Sequence, residues 1–230
     1  MPARSHALVA VLVLAAASRA DEPAKPALPP VAKGDRIVFL GDSITQAGVG
    51  PKGYVTLIKN ALADKGATVI GAGISGNKVP DIQRRLQKDV LDKKPTLVVI
   101  YIGINDVWHG QDNPANGTSK EKFESGLEDV IGRIQKADAK VLLCTPTVIG
   151  ELTGGKNKND ARLDAYSEIG RKVAKKMKVP VCDLRKAFVA HLKANNKDNK
   201  ASGVLTSDSV HLNDAGNKFV ADTMLKSLGE

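Results

Sequence analysis

The sequence predicts an α/β domain of three layers, in which helices cover both faces of a five-stranded parallel sheet. Three observations lead there. Five short runs rich in Val, Ile and Leu recur along the chain without polar alternation, as strands covered on both faces do. Amphipathic stretches of helical period separate them, and strands alternating with helices pair in parallel. The chain has 230 residues, 42% of them hydrophobic and 26% charged, which suits one such core and is too little for two.

The first run, "RIVFL", ends abruptly in Gly41-Asp42-Ser43. "YVTLIKNALADKG" follows, with Val55, Leu57, Ile58, Ala61 and Leu62 on one side and Gly66 as its stop, the pattern of a helix closed by glycine. The second run is "ATVIGAG", and "PDIQRRLQKDVLDKK" then repeats Ile82, Leu86 and Val90 at fours. After the third run, "TLVVIYIG", the stretch "SKEKFESGLEDVIGRIQKAD" spaces Phe123, Leu127, Val130, Ile131 and Ile134 at threes and fours behind a capping Ser119. "KVLLCTP" and "VPVCDL" are the last two strands, and further helices fit residues 160–177, 184–194 and 213–228. The segment from Gly150 to Asn159, rich in glycine and asparagine, is a candidate rim for a site, and Pro146 and Glu151 shape the loop after the fourth strand. No internal repeat is present.

The ends and the bulk charge narrow the function. Residues 1–20 read as an export signal: a basic head at Arg4, an apolar stretch from Ala7 to Ala17, and Ser18-Arg19-Ala20 for cleavage after Ala20. The apolar stretch is too short for a membrane span, and no later segment is apolar for long enough. The mature chain is therefore expected to be secreted or periplasmic, without stable membrane insertion. Residues 21–33 form a proline-rich leader, expected to be extended or disordered, and residues 34–230 form the domain. Removing Arg4 and Arg19 lowers the formal net charge from +9 to +7. The lysines are dispersed as solvated helix faces with a weak preference for anionic surfaces. Aromatic residues make up only 3% of the chain, with no interleaved basic motif, which argues against a nucleic-acid partner. Cys144 and Cys182 lie in strand-like runs, where buried free thiols are commoner than bridges, although export would permit one.

The polar residues of interest fall just beyond strands, where open α/β sheets bind their ligands. Ser43 follows the first strand, Gly76 the second and Asn105 the third, while Asp208 and His211 precede the last helix. A serine hydroxyl is a poor nucleophile unless a base takes its proton, and His211 is the natural base. Asp208, three residues before it, is near enough to fix its tautomer. Ser43 and His211 are both expected to lie outside regular secondary structure. There is no Gly-x-Ser-x-Gly elbow, so the α/β-hydrolase version of such a triad is disfavoured.

This set resembles the SGNH, or GDSL, hydrolase family from about Arg36 onward. Gly41-Asp42-Ser43 matches its nucleophile block, Gly76 its glycine block, Gly103-Ile104-Asn105-Asp106 its Gly-x-Asn-Asp block, and Asp208-Ser209-Val210-His211 its Asp-x-x-His block. Ile44 replaces the leucine of the motif's name, and Ser209 and Leu212 stand where a glycine and a proline are common. The resemblance implies the flavodoxin-like SGNH fold, a Ser43–His211–Asp208 triad, and an oxyanion hole from the Ser43 and Gly76 N–H groups and the Asn105 amide. It implies hydrolysis of carboxylic esters through an acyl-enzyme, with no cofactor.

Asp42 and Asp106 read as supporting or loop-fixing groups. No metal site is expected, because Asp42, Asp106, Asp208 and His211 form no compact ligand motif and only one histidine contributes. Trp108, the single tryptophan, is either a core plug or a flat wall at the substrate rim. His109 reads as a rim residue, and His191 lies in a helix. The expected substrate is a small-molecule or polysaccharide ester with a short acyl group, acetyl foremost, since the loops "QDNPANGTS" and "GELTGGKNKND" are polar. Against this, Val107, Val148 and Ile149 are candidates for an apolar slot suited to lipid esters. An acyltransferase and a non-catalytic carbohydrate-binding scaffold are the remaining alternatives.

Overall fold

A computed structural model describes residues 26–230. The expected export signal, residues 1–20, and residues 21–25 of the expected leader lie outside the described residues. Five parallel strands, β1 (Arg36–Gly41), β2 (Thr68–Gly73), β3 (Leu97–Tyr101), β4 (Lys140–Cys144) and β5 (Val181–Cys182), form one sheet in the order β2-β1-β3-β4-β5. The expected class is the observed one. The chain leaves β1 for β2 on one side and crosses to β3 on the other, so a crevice opens beyond the carboxyl ends of β1 and β3.

Eight α-helices are found among the described residues: α1 (Ser43–Gly48), α2 (Tyr54–Ala61), α3 (Val79–Asp89), α4 (Ile104–Trp108), α5 (Lys120–Lys136), α6 (Asp160–Met177), α7 (Leu184–Asn195) and α8 (Asp214–Ser227). α3 packs on α5 and α5 on α6, whereas α2 packs on α8 and α8 on α7. These two groups are the outer layers. The sequence signals hold locally: Ser119 Oγ accepts from the Lys122 N–H at the start of α5, and Gly66, at φ +66°, closes a 3-10 turn after α2.

Two strands differ from expectation. β2 is not covered on both faces: none of its residues is fully buried, because it is an edge strand with β1 as its single neighbour. Its glycines make room for α1, since a Cβ on Gly73 would lie 2.2 Å from the Gln46 nitrogen. β5 keeps only two residues, because Asp183 immediately caps α7 by accepting from the Lys186 N–H.

Residues 26–33 are less loose than their composition suggests. Val31 is only 7% exposed, and its N–H donates to Glu230 Oε1 at 3.1 Å. Cys144 and Cys182 face each other across β4 and β5 as buried free thiols, and burial pushes the Cys144 thiol up. Beneath the crevice, Phe39, Tyr54 and Tyr101 meet edge to face at centroid distances of 5.9 and 6.0 Å. The Tyr54 hydroxyl pairs with Thr45 Oγ1 at 2.8 Å, which seats α1 on this aromatic floor.

Candidate active site

β1 turns directly into α1 through Gly41. A Cβ there would lie 2.0 Å from Thr45 Oγ1 and 2.6 Å from the Tyr101 carbonyl, so any larger residue would push the helix away. Asp42 is the cap: its carboxylate accepts from the Ile44 N–H at 2.9 Å and its carbonyl from the Gln46 N–H at 2.9 Å. Gly-Asp-Ser is thus a strand end, a cap and a first helical residue. The expectation that Ser43 lies outside regular structure is corrected, because Ser43 opens α1. His211 does lie in a loop, just before α8.

That loop brings His211 to Ser43. His211 Nε2 is 2.9 Å from Ser43 Oγ, and His211 Nδ1 is 2.7 Å from Asp208 Oδ2. Asp208 Oδ1 also accepts from the His211 N–H at 2.7 Å and the Val210 N–H at 3.1 Å. Partial burial pushes the Asp208 carboxyl up, but the hydrogen bonds from His211 and Val210 outweigh it and hold the group below its ordinary range. The carboxylate is ionised at neutral pH and orients the ring. Ser209 adopts φ +80°, the left-handed conformation that favours glycine.

The other two expected oxyanion donors follow β2 and β3. Gly76, at φ +76°, turns the chain after β2. Gly103, at φ +126°, starts α4 and places Asn105 one residue inside it, only 3% exposed. One Asn105 amide hydrogen goes to the Asn77 carbonyl at 3.0 Å, which leaves the other for a ligand. Sequence reasoning missed Arg85, which braces this arrangement from α3. Its Nε donates to Asn77 Oδ1 at 2.7 Å, one terminal nitrogen to the Gly41 carbonyl at 2.8 Å and the other to Asp89 at 3.1 Å. The one available signal was a charge beside the buried Ile82 and Leu86.

Asp42 and Asp106 are buried supports without a hydrogen bond to Ser43 or His211. Burial pushes Asp42 up to about 7 and Asp106 up to about 6. Asp106 Oδ1 accepts from the Val79 N–H at 3.0 Å and so ties α4 to α3. Trp108 is 37% exposed on α4, so it is no core plug; its ring centroid is 6.2 Å from that of His109. His191 meets Phe219 edge to face, with ring centroids 4.8 Å apart, in the α7–α8 layer. Among the described residues, no group of three His, Cys, Asp or Glu side chains is arranged to hold a metal ion.

Comparison with known proteins assigns the family. The model of the GDSL-like lipase/acylhydrolase family matches residues 39–219. The chain belongs to this family. A solved acetyl xylan esterase, AlAXEase, is 48% identical with a TM-score of 0.80, covering 83% of this chain and 98% of that one. An acetylxylan esterase of Geobacillus stearothermophilus is 28% identical over 219 residues, 86% of this chain and 96% of its own, and its solved structure has a TM-score of 0.78. Serine-to-alanine and histidine-to-alanine forms of that enzyme are described as catalytic mutants. An isoamyl acetate-hydrolyzing esterase 1 homolog of Rattus norvegicus is 27% identical over 201 residues, 80% of this chain and 78% of its own. This GDSL protein is accordingly a carboxylic ester hydrolase. No helix among its described residues is long and apolar enough to cross a membrane.

Proposed function

We propose that this protein is an exported serine esterase that removes short acyl groups, acetyl foremost, from carbohydrate carriers. The observation that carries the reading is the unbroken hydrogen-bonded chain from Asp208 through His211 to Ser43. With Asp208 holding the Nδ1 proton, Nε2 is free to take the Ser43 proton as Oγ attacks the ester carbonyl. The oxyanion of the tetrahedral intermediate accepts from the Ser43 and Gly76 N–H groups and from the second Asn105 amide hydrogen. His211 then protonates the leaving alcohol, and water attacks the acyl-enzyme by the same route in reverse order.

The catalytic serine and histidine mutants of the Geobacillus relative support this assignment, and the basic head at Arg4 followed by the apolar stretch from Ala7 to Ala17 supports export. For substrate, both the 48% identical neighbour and the Geobacillus relative are acetylxylan esterases. Val107, Val148 and Ile149, the candidates for a lipid slot, are all buried side chains of the core, so they favour a small acyl group over a long one. The exposed Trp108 offers a flat face to a sugar ring.

Two measurements test the reading. Ser43→Ala is expected to abolish release of p-nitrophenol from its acetate ester while leaving the circular dichroism spectrum unchanged; wild-type turnover in that variant would end the serine assignment. In a series of p-nitrophenyl esters, kcat/KM is expected to be highest for acetyl. A steady climb through octanoyl would replace the carbohydrate reading with a lipid-directed one.

A further inference from the structure

We propose that Glu151 is a positioning residue for the catalytic base: its buried carboxylate sets the shape of the loop that carries Asp208 and His211. This rests on the triad reading above and adds a residue to it. Glu151 has no exposed surface and stands in the loop after β4. Its Oε1 accepts from the Leu205 N–H at 2.7 Å, the Thr206 N–H at 2.6 Å and the Thr206 hydroxyl at 2.8 Å. Its Oε2 accepts from the Val204 N–H at 2.8 Å. Three successive backbone amides thus converge on one side chain that lies more than fifty residues earlier in the chain.

The clamped segment leads straight to the base. Thr206 forms an isolated antiparallel bridge with Leu212, and the Ser207 N–H donates to the His211 carbonyl at 2.8 Å. The backbone around Glu151 adds two further ties. The Gly150 N–H donates to the Ser209 carbonyl at 2.7 Å, and the Glu151 N–H donates to the Ala201 carbonyl at 2.9 Å. His211 therefore sits in a loop held at Ala201, at Val204–Thr206 and at Ser209 by two consecutive residues of another loop. Its own bonds to Ser43 and Asp208 need that frame, because the segment has no sheet or helix to define it.

All four groups that face the Glu151 side chain donate, so only an acceptor on both oxygens fits. Glutamine has the same shape but must turn an NH2 group against a buried N–H or hydroxyl, and one bond becomes a donor–donor clash. A residue that only stabilised the core would lower the melting temperature of Glu151→Gln and leave its kinetics alone. Positioning predicts a change in the base itself.

The test is Glu151→Gln, with Thr206→Val as the milder variant should the first not fold. Turnover is expected to fall by about 10²-fold for a base displaced by about 1 Å, with KM for acetyl esters little changed. On a His211→Ala background the same substitution is expected to cost nothing further. Ring nitrogen NMR gives a readout free of turnover: wild-type neutral His211 is expected to be protonated on Nδ1, and the variant to mix in the Nε2-protonated form. A folded variant with unchanged kcat, with unchanged ring nitrogens, or with a loss that adds in full to His211→Ala overturns the proposal. If the wild type cleaves no ester and a serine-directed phosphonate leaves Ser43 unmodified, the function reading fails; the tautomer measurement still decides the role of Glu151.

Discussion

Asn105 has two amide hydrogens, and Asn77 takes one of them. The other is the single side-chain donor in the proposed oxyanion hole, so its loss should appear in the transition state and not in binding. Asn105→Ala is expected to lower kcat by about 10²- to 10³-fold with KM nearly constant; steady-state kinetics on an acetyl ester checks this. Ser209 poses the opposite problem. At φ +80° it carries a Cβ where glycine is at ease, and its hydroxyl recovers only one exposed bond, to the Ala201 carbonyl at 3.0 Å. Ser209→Gly is expected to leave stability within about 0.5 kcal/mol of wild type, because relief of about 1–2 kcal/mol of left-handed strain offsets the lost bond and the added chain entropy. Urea denaturation measures it, and a clearly lower midpoint would show that the hydroxyl matters more than the strain.

Elements meet the site through single braces. α3 reaches it through Arg85, whose three contacts join the Asn77 side chain, the end of β1 at Gly41 and Asp89 on its own helix. The planar guanidinium fits this fork in a way an ammonium cannot. Arg85→Lys is therefore expected to behave like Arg85→Ala, with kcat down about tenfold for the loss of charge-assisted bonds. Combined with Asn105→Ala, either change should cost much less than the product of the two effects. A double-mutant cycle in kcat that proved additive would place Arg85 in stability alone.

Across the whole molecule, burying Asp42 beneath the site makes stability depend on pH. Its carboxyl has an ordinary value of 3.8 and is pushed up to about 7 in the fold, first by burial and then by Asp106. The native state therefore holds a proton that the unfolded chain has already released across this range. The contribution of Asp42 is fully present below pH 3.8 and is lost as pH rises through about 7. Asp42→Asn keeps an acceptor for the Ile44 N–H and removes the titration. Its melting temperature relative to wild type is expected to rise steadily between pH 4 and about 8. A constant difference over that range would show that Asp42 is not the titrating group.

Much of this was legible in one dimension. Runs of Val, Ile and Leu without alternation imply a sheet covered by helices, and glycines, acids and hydroxyls just beyond those runs imply where a ligand sits. Ser43, Gly76, Asn105, Asp208 and His211 could be named because their chemistry is local to short motifs. Their meeting was not local: the Ser43–His211 contact joins residues 168 positions apart, and the sheet order alone brings those strand ends and the late loop together. The helical start at Ser43 was hidden because six residues carry too little periodicity to register. Glu151 was read as shaping the loop after the fourth strand, but its ties to Val204–Thr206 were hidden, as was Arg85, for a deeper reason. A charged side chain in a helix or loop reads as solvated, and only tertiary packing shows which ones are buried and what they hold. Sequence by itself determined the fold class and put forward the candidate reacting groups, through patterns of a few residues; tertiary structure decided the supports, because a buried charge is defined by distant partners.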